Sequence, residues 1–112
     1  IDQVRQGTHI TAMGSDTAEK QELDSRILGA ADIVVADSLS QCQERGEICQ
    51  ALLANDIELS RVVELGGVID SGRRIRTSHR QVTVADLTGV AVQDVQIAKA
   101  VCEALAAVEL AE

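Results

Sequence analysis

Phenylalanine, tyrosine, tryptophan and proline are all absent from the 112 residues of this sequence. A core without aromatic rings has to be built from Val, Ile, Leu and Ala, which lack the large side chains that usually dominate interior energetics. The 46% content of hydrophobic residues is enough for one small domain. We therefore expect a single domain of marginal stability, which would gain from self-association or from a covalent partner domain.

Basic residues are also scarce, since 10 Lys and Arg stand against 18 Asp and Glu and the net charge is −8. An acidic surface repels nucleic acid and anionic lipid, so the sequence predicts neither nucleic acid nor a membrane as a partner. The one basic cluster, GRRIR from Gly72 to Arg76, is typical of a solvated loop. A signal peptide and long apolar runs are missing from the sequence, which favours a cytoplasmic location.

Cysteine is present only three times, with no C-x-x-C pair. Cys42 and Cys49 lie seven residues apart, on one face of a predicted helix, and are therefore interpreted with Cys102 as reduced, small apolar residues. His9 and His79 are isolated from other metal-ligating residues. The sequence thus predicts no metal site and no disulfide framework.

The first half of the chain predicts strand, helix, strand. A β-prone run from Thr8 to Met13 is followed by a helical stripe from about Ala18 to Ala30. Asp16 or Thr17 is the expected N-cap of this helix, and Asp16 has capping-box spacing to Glu19. The segment IVVA that follows is apolar without alternation, which is typical of a strand covered on both faces in a parallel sheet.

The second half repeats this alternation. Ser38 or Ser40 caps a second helix, whose buried stripe is interrupted at Gly46 and consists of Leu39, Cys42, Cys49, Leu52 and Leu53. A third strand is predicted at Arg61–Leu65, followed by a polar loop with at most one helical turn and a fourth strand at Gln81–Leu87. The closing helix spans Val92–Leu110. Its predicted apolar face contains Val92, Val95, Ala98, Cys102 and Leu105.

Strands that alternate with helices predict an α/β domain with a parallel sheet of about four strands. Ligands of such sheets bind beyond the carboxyl ends of the strands. The polar segments AMGSD, ADS, ELG and ADLTG follow the four strands, so Asp86, Thr88 and Gly89 are candidate ligand contacts. Each has a purely structural alternative: Asp16 could be only a helix cap or an ion-pair partner of Lys20, and Asp86 with Thr88 could merely start the last helix.

A phosphate cradle for a dinucleotide is missing. The sequence contains neither G-x-G-x-x-G nor G-x-x-x-x-G-K-[ST], the glycine-rich turns that bring backbone amides against a phosphate. A free-standing dinucleotide enzyme would therefore lack its strongest anchor.

Two motifs carry a resemblance to a known family. The pattern G-x-D-x-x-x-K-x-E-L is met by Gly14, Asp16, Lys20, Glu22 and Leu23. A D-[ST]-x-G ending is met in altered form by the four residues from Asp86 to Gly89, because Leu87 stands where the family has Ser or Thr. With ERGEI, VVELGGVI and the order of the segments, the chain resembles the ornithine cyclodeaminase and mu-crystallin family through nearly its whole length.

The resemblance implies a Rossmann-like dinucleotide domain in NAD(P)-dependent enzymes that act on amino acids and cyclic imines. Residues 1–112 resemble only the second half of that domain, so we expect a fragment without its own turnover. Because the glycine-rich half and the substrate domain have no counterpart here, binding of NAD or NADP is expected to be weak or absent.

The resemblance also implies roles for single residues. Asp16 would be the general base or water activator, with Lys20 on the substrate side. The nicotinamide would be lined on one side by Met13, Gly14 and Ser15. On the other side it would be lined by Asp86, Thr88 and Gly89.

A second class of function stays open at this point, namely a non-enzymatic α/β module that binds a metabolite or a partner. For either class we expect a homodimer formed through a sheet edge or through the closing helix, because an unpaired edge strand is a template for another chain.

Overall fold

A computed structural model describes residues 1–111 and contains one parallel four-stranded sheet. The strands are β1 (His9–Ala12), β2 (Ile33–Ala36), β3 (Val62–Glu64) and β4 (Thr83–Asp86). The helices are α1 (Ser25–Ala30), α2 (Leu39–Cys42), α3 (Glu47–Leu53), α4 (Leu65–Ser71) and α5 (Ala91–Ala111), with one 3₁₀ turn at Leu59–Arg61. The α/β class with a Rossmann-like parallel sheet is confirmed.

The spatial order of the strands is β1-β4-β2-β3, so β4 lies between the first two strands of the chain. Its register pairs Val84 with both Ile10 and Val34, which places these side chains on one face of the sheet. That face carries the core. Its buried side chains include Leu28, Val34, Ala36, Ile48, Val62 and Val84.

The opposite face of the sheet is only partly covered. Val34 and Ala36 are buried, whereas Ile33 and Val35 on the other face of β2 are half-buried. The prediction that this strand is covered on both faces is therefore wrong for residues 1–111. Continuous apolarity indicated burial correctly for one face only.

The first helix is shorter than the sequence predicts. It begins at Ser25 rather than near Ala18, and Asp24, not Asp16 or Thr17, is its N-cap, with the Asp24 carboxylate accepting from the Arg26 amide. Residues 18–24 form an irregular loop, because some of their backbone amides bond to a distant side chain described below. Tertiary contacts thus override the helical spacing of this segment.

Two further elements differ from the prediction. The expected second helix is two helices, α2 and α3, separated at Gly46, whose φ of 93° no regular helix accommodates. Ser38 is the N-cap of α2, as one of the two predicted candidates. The segment expected to be a polar loop contains α4, which is 7 residues or about two turns long.

The cysteines behave as the sequence indicates. Cys42 and Cys49 are buried and unpaired, although they belong to two helices rather than one, and Cys102 is unpaired and exposed. Burial, with the nearby charges of Asp86 and Asp37, raises the pKa of the Cys42 thiol to about 12. A thiol that resists ionisation in this way behaves as a small apolar core residue.

The closing helix does not return to the sheet. All 21 residues of α5 are exposed, and the molecule is 56 Å long against 33 and 27 Å in its other dimensions. The predicted apolar face is therefore not covered by the sheet. Its large exposed side chains are Val92, Val95, Ile97, Val101, Leu105, Val108 and Leu110.

Candidate functional site

The carboxyl ends of the four parallel strands meet along one edge of the sheet. The strands end at Ala12, Ala36, Glu64 and Asp86, and polar residues follow β1, β2 and β4. We call the segments 13–24, 37–38 and 87–90, which follow β1, β2 and β4, the rim.

The segment after β1 is held by a carboxylate from α3. Glu47 is 1% exposed and its Oε1 accepts hydrogen bonds from the Ser15 hydroxyl at 2.5 Å and from the Glu22 amide at 2.7 Å. Its Oε2 accepts from the Leu23 amide at 3.0 Å. The Gly14 amide donates to the Glu22 carboxylate at 2.5 Å, which closes the start of the segment.

Asp16 projects from this loop into solvent. Its Oδ1 lies 2.7 Å from Lys20 Nζ, and the side chains of Asp16 and Lys20 are 61% and 56% exposed. The hydrogen bond and the charge of Lys20 lower the pKa of the Asp16 carboxyl below its usual value. Asp16 is therefore an ionised, accessible carboxylate at the rim, paired across a turn rather than along a helix.

The segment after β4 is fastened to β2 by Asp37. The Thr88 hydroxyl donates to Asp37 Oδ1 at 3.0 Å, and the Gly89 amide donates to Oδ2 at 2.9 Å. Gly89 has a φ of 86°, and a Cβ at this position would meet open space. The rim at this point exposes bare backbone, which a flat ligand can approach closely.

Asp86 lies beneath the rim rather than on it. It is 1% exposed, and its Oδ2 accepts from the Ile48 amide at 2.8 Å, in the first turn of α3. Burial, together with the charges of Glu47 and Asp37, raises the pKa of Asp86 to about 6. This carboxyl therefore tethers the start of α3 to β4.

The structure separates the predicted site residues into two groups. Five are exposed at the rim: Met13, Gly14, Asp16, Lys20 and Gly89. Three are buried, with side chains bonded inside the protein: Ser15, Asp86 and Thr88. At 1–4% exposure, these three residues present almost no surface to a ligand.

Sequence reasoning missed the roles of Glu47 and Asp37. Both are acids at the start of a helix or just before it, so each resembles an ordinary helix-terminus acid in the sequence. The sequence held no clear signal, because Glu47 lies in the polar segment ERGEI. Only its burial in the folded chain shows that this carboxylate requires hydrogen-bond donors.

Two cavities lie elsewhere, one between α4 and the segment before β4, and a smaller one where that segment meets the sheet. The larger, of about 560 Å³, is lined by Arg73, Arg74 and Ile75 with neighbouring residues. Arg73 and Arg74 are exposed, as expected of a solvated loop. Arg76 is structural, because it donates to the Gly7 carbonyl at 2.7 Å and so ties this loop to the segment before β1.

Residues 1–111 contain no cluster of three or more His, Cys, Asp or Glu side chains arranged to hold a metal ion. Over the same residues, every helix falls short of the length or apolarity that crossing a bilayer requires.

The comparisons with known proteins agree with one another. The model of the ornithine cyclodeaminase/mu-crystallin family matches residues 1–109. An uncharacterized cyclodeaminase of Sinorhizobium fredii is 46% identical over 93 residues, which are 82% of this chain and 28% of the relative.

Two solved structures have the same fold at substantial identity. The archaeal alanine dehydrogenase, solved as a dimer with bound NAD, has a TM-score of 0.80 and 42% identity over 89% of this chain and 31% of its own. The iminosuccinate reductase of Paracoccus denitrificans, solved with NAD⁺, has a TM-score of 0.77 and 40% identity over 89% of this chain and 30% of its own. The chain therefore spans less than a third of the length of these relatives.

Proposed function

Because this chain belongs to the ornithine cyclodeaminase/mu-crystallin family, we propose that it forms the nicotinamide side of an NAD(P) site. The enzyme would carry out amino-acid deamination with cyclisation, or reduction of a cyclic imine. In this proposal the chain is the second half of the dinucleotide-binding domain. The phosphate cradle and the substrate domain belong to other parts of such an enzyme.

The residues at the rim fit one end of a dinucleotide. Met13 is 70% exposed, and the backbone at Gly89 is open, so the rim offers an apolar side chain and bare backbone to a flat ring. When bound, the nicotinamide would supply hydride transfer. Asp86 and Thr88 would act indirectly, by fixing the backbone on which Gly89 lies.

Asp16 supports the proposal, since it is an exposed carboxylate in the segment after β1 and is paired with Lys20. A general base has to be ionised and within reach of the proton that it removes. Lys20 keeps the Asp16 carboxyl ionised by lowering its pKa, and the exposure of Asp16 leaves its second oxygen free for a substrate or a water. Asp16 would therefore accept a proton, and Lys20 would carry the compensating charge on the substrate side.

The chain alone should bind NAD(P)H weakly and should not turn over substrate. Only the nicotinamide end of the cofactor would contact this chain, so we expect a dissociation constant in the millimolar range, or roughly 4 kcal/mol of binding free energy.

Asp16→Asn tests the assignment. The test protein is the Archaeoglobus fulgidus alanine dehydrogenase with this chain grafted in place of its matching segment, which is 45% identical over 101 residues. Asn is nearly isosteric but cannot act as a base, so we expect kcat to fall by about 10²- to 10⁴-fold relative to the unsubstituted graft. Asp70→Asn, at an exposed position in α4, is the matched control. Full turnover in the Asp16 variant would remove the catalytic role.

The proposal also includes a homodimer. The seven large apolar side chains exposed on α5 and the unpaired outer edges of β1 and β3 support self-association. The archaeal alanine dehydrogenase, which is described as a dimer, is consistent with a symmetric pair.

A further inference from the structure

The carboxylate of Glu47 joins the two ends of one loop. Its three hydrogen-bond donors are the Ser15 hydroxyl on one side and the amides of Glu22 and Leu23 on the other. The six residues between these ends, 16–21, therefore form a closed loop whose base is held by the buried Glu47 side chain, alongside the contact of the Gly14 amide with the Glu22 carboxylate. Asp16 and Lys20 both belong to this loop.

We propose that Glu47 is a positioning residue, which closes the base of the loop and thereby holds Asp16 and Lys20 together at the rim. The functional meaning of this role rests on the proposed function of Asp16. The closure itself is a property of the loop and can be tested without it.

The chemistry of the contact requires a carboxylate. Three donors converge on two oxygens of Glu47, and an ionised carboxylate only accepts. A carboxamide has one accepting oxygen, so a glutamine at this position would turn an N–H group towards at least one donor. The location of Glu47 in the first turn of α3 adds the favourable field of the helix N-terminus.

The pair of Asp16 and Lys20 depends on this closure. Both side chains are more than half exposed, and an exposed ion pair has little stability of its own. Tying Ser15 to Glu22 and Leu23 restricts the conformations open to residues 16–21 and so helps to keep the two partners in contact. Arg45, whose charge also acts on Asp16, lies outside the loop and would remain when the closure is lost.

Glu47→Gln in the whole chain tests the proposal, with Glu44→Gln as the matched control at an exposed position just before α3. We expect hydrogen exchange of the Glu22 and Leu23 amides to become about tenfold faster, while the amides of β4 keep their protection. The pKa of Asp16, followed by NMR, should rise towards its ordinary value of 3.8 as the contact with Lys20 loosens. General destabilisation would not move this pKa in molecules that are still folded.

The positioning role is rejected if Glu47→Gln changes neither the two exchange rates nor the pKa of Asp16, or if Glu44→Gln changes them equally. Should Glu47→Gln fail to fold, Ser15→Ala removes one donor and leaves the carboxylate, so the same two quantities should shift in the same direction by less. No shift in that variant also rejects the role. Intact turnover in the Asp16→Asn graft would instead refute the proposed function and leave the loop closure standing.

Discussion

Gly46→Ala should destabilise the chain by about 3 kcal/mol or more, because two separate costs act on one methyl group. The backbone at Gly46 has a φ of 93° and a ψ of −172°, a region that is essentially restricted to glycine. A Cβ there would also lie 2.7 Å from Asp86 Oδ2 and 2.7 Å from Thr88 Cγ2. Since both of these side chains are buried, neither can move away cheaply.

Two other glycines serve as reference positions for these costs. Gly72 ends α4 at a φ of 65° with open space around the Cβ position, so Gly72→Ala should cost only the backbone strain of about 1–2 kcal/mol. Gly66 lies inside α4, also with open space, so Gly66→Ala should stabilise by about 0.5–1 kcal/mol. The excess loss at Gly46 over Gly72 combines the less accessible backbone region of Gly46 with the collision of the Cβ with Asp86 and Thr88.

Urea unfolding followed by circular dichroism measures these differences. All variants have to be compared at one protein concentration, because self-association would make the midpoint depend on concentration. Equal losses for Gly46→Ala and Gly72→Ala would refute the packing of the α3 start against Asp86.

Two further predictions concern charge and assembly. The fold raises the pKa of Asp86 from 3.8 to about 6 and so favours the protonated carboxyl. The contribution of this carboxyl to stability is therefore complete below about pH 4 and is lost as the pH rises through 6. The free energy of unfolding, measured with urea, should therefore fall by at most about 3 kcal/mol between pH 4 and pH 7. Asp86→Asn should flatten this slope, and an unchanged slope would contradict the assignment. In light scattering across a tenfold dilution series, the chain should shift from dimer towards monomer. Leu105→Lys on α5 should shift it further. A folded monomer at every concentration rejects the dimer.

The order of the elements is predictable from the sequence because periodicity is a local property. The apolar runs around Val34 and Val84 and the stripe that includes Cys42 and Cys49 indicate strands and helices from neighbouring residues alone. Alternation of the two then favours a parallel sheet, and the carboxyl ends of its strands place Asp16 and Gly89 at one edge.

The start of α1 could not be predicted in this way. Asp16 and Glu19 have the spacing of a capping box, and nothing nearby in the sequence argues against a helix there. The decisive contacts come from Glu47, which is 25 residues from Glu22 and 24 from Leu23 along the chain. The spacing of neighbouring residues contains no information about hydrogen bonds between residues so far apart in the sequence.

The candidate site also combines features that are local in the sequence with features that depend on distant segments. The contact of Asp16 with Lys20 is predictable from their spacing of four residues, although the pair lies in a loop rather than on a helix. The burial of Ser15, Asp86 and Thr88 depends on Glu47, Ile48 and Asp37, which come from other segments. Residues named together by a motif therefore divide into exposed and buried members only in the folded chain.

An NMR titration of the isotopically labelled chain with NADH tests the central claim, that the rim is the nicotinamide side of a dinucleotide site. The account predicts that the amides of residues 13–16 and of Gly89 shift along one saturation curve, with a dissociation constant in the millimolar range. Shifts confined to the Arg73–His79 cavity, no shifts at all, or micromolar binding would contradict it.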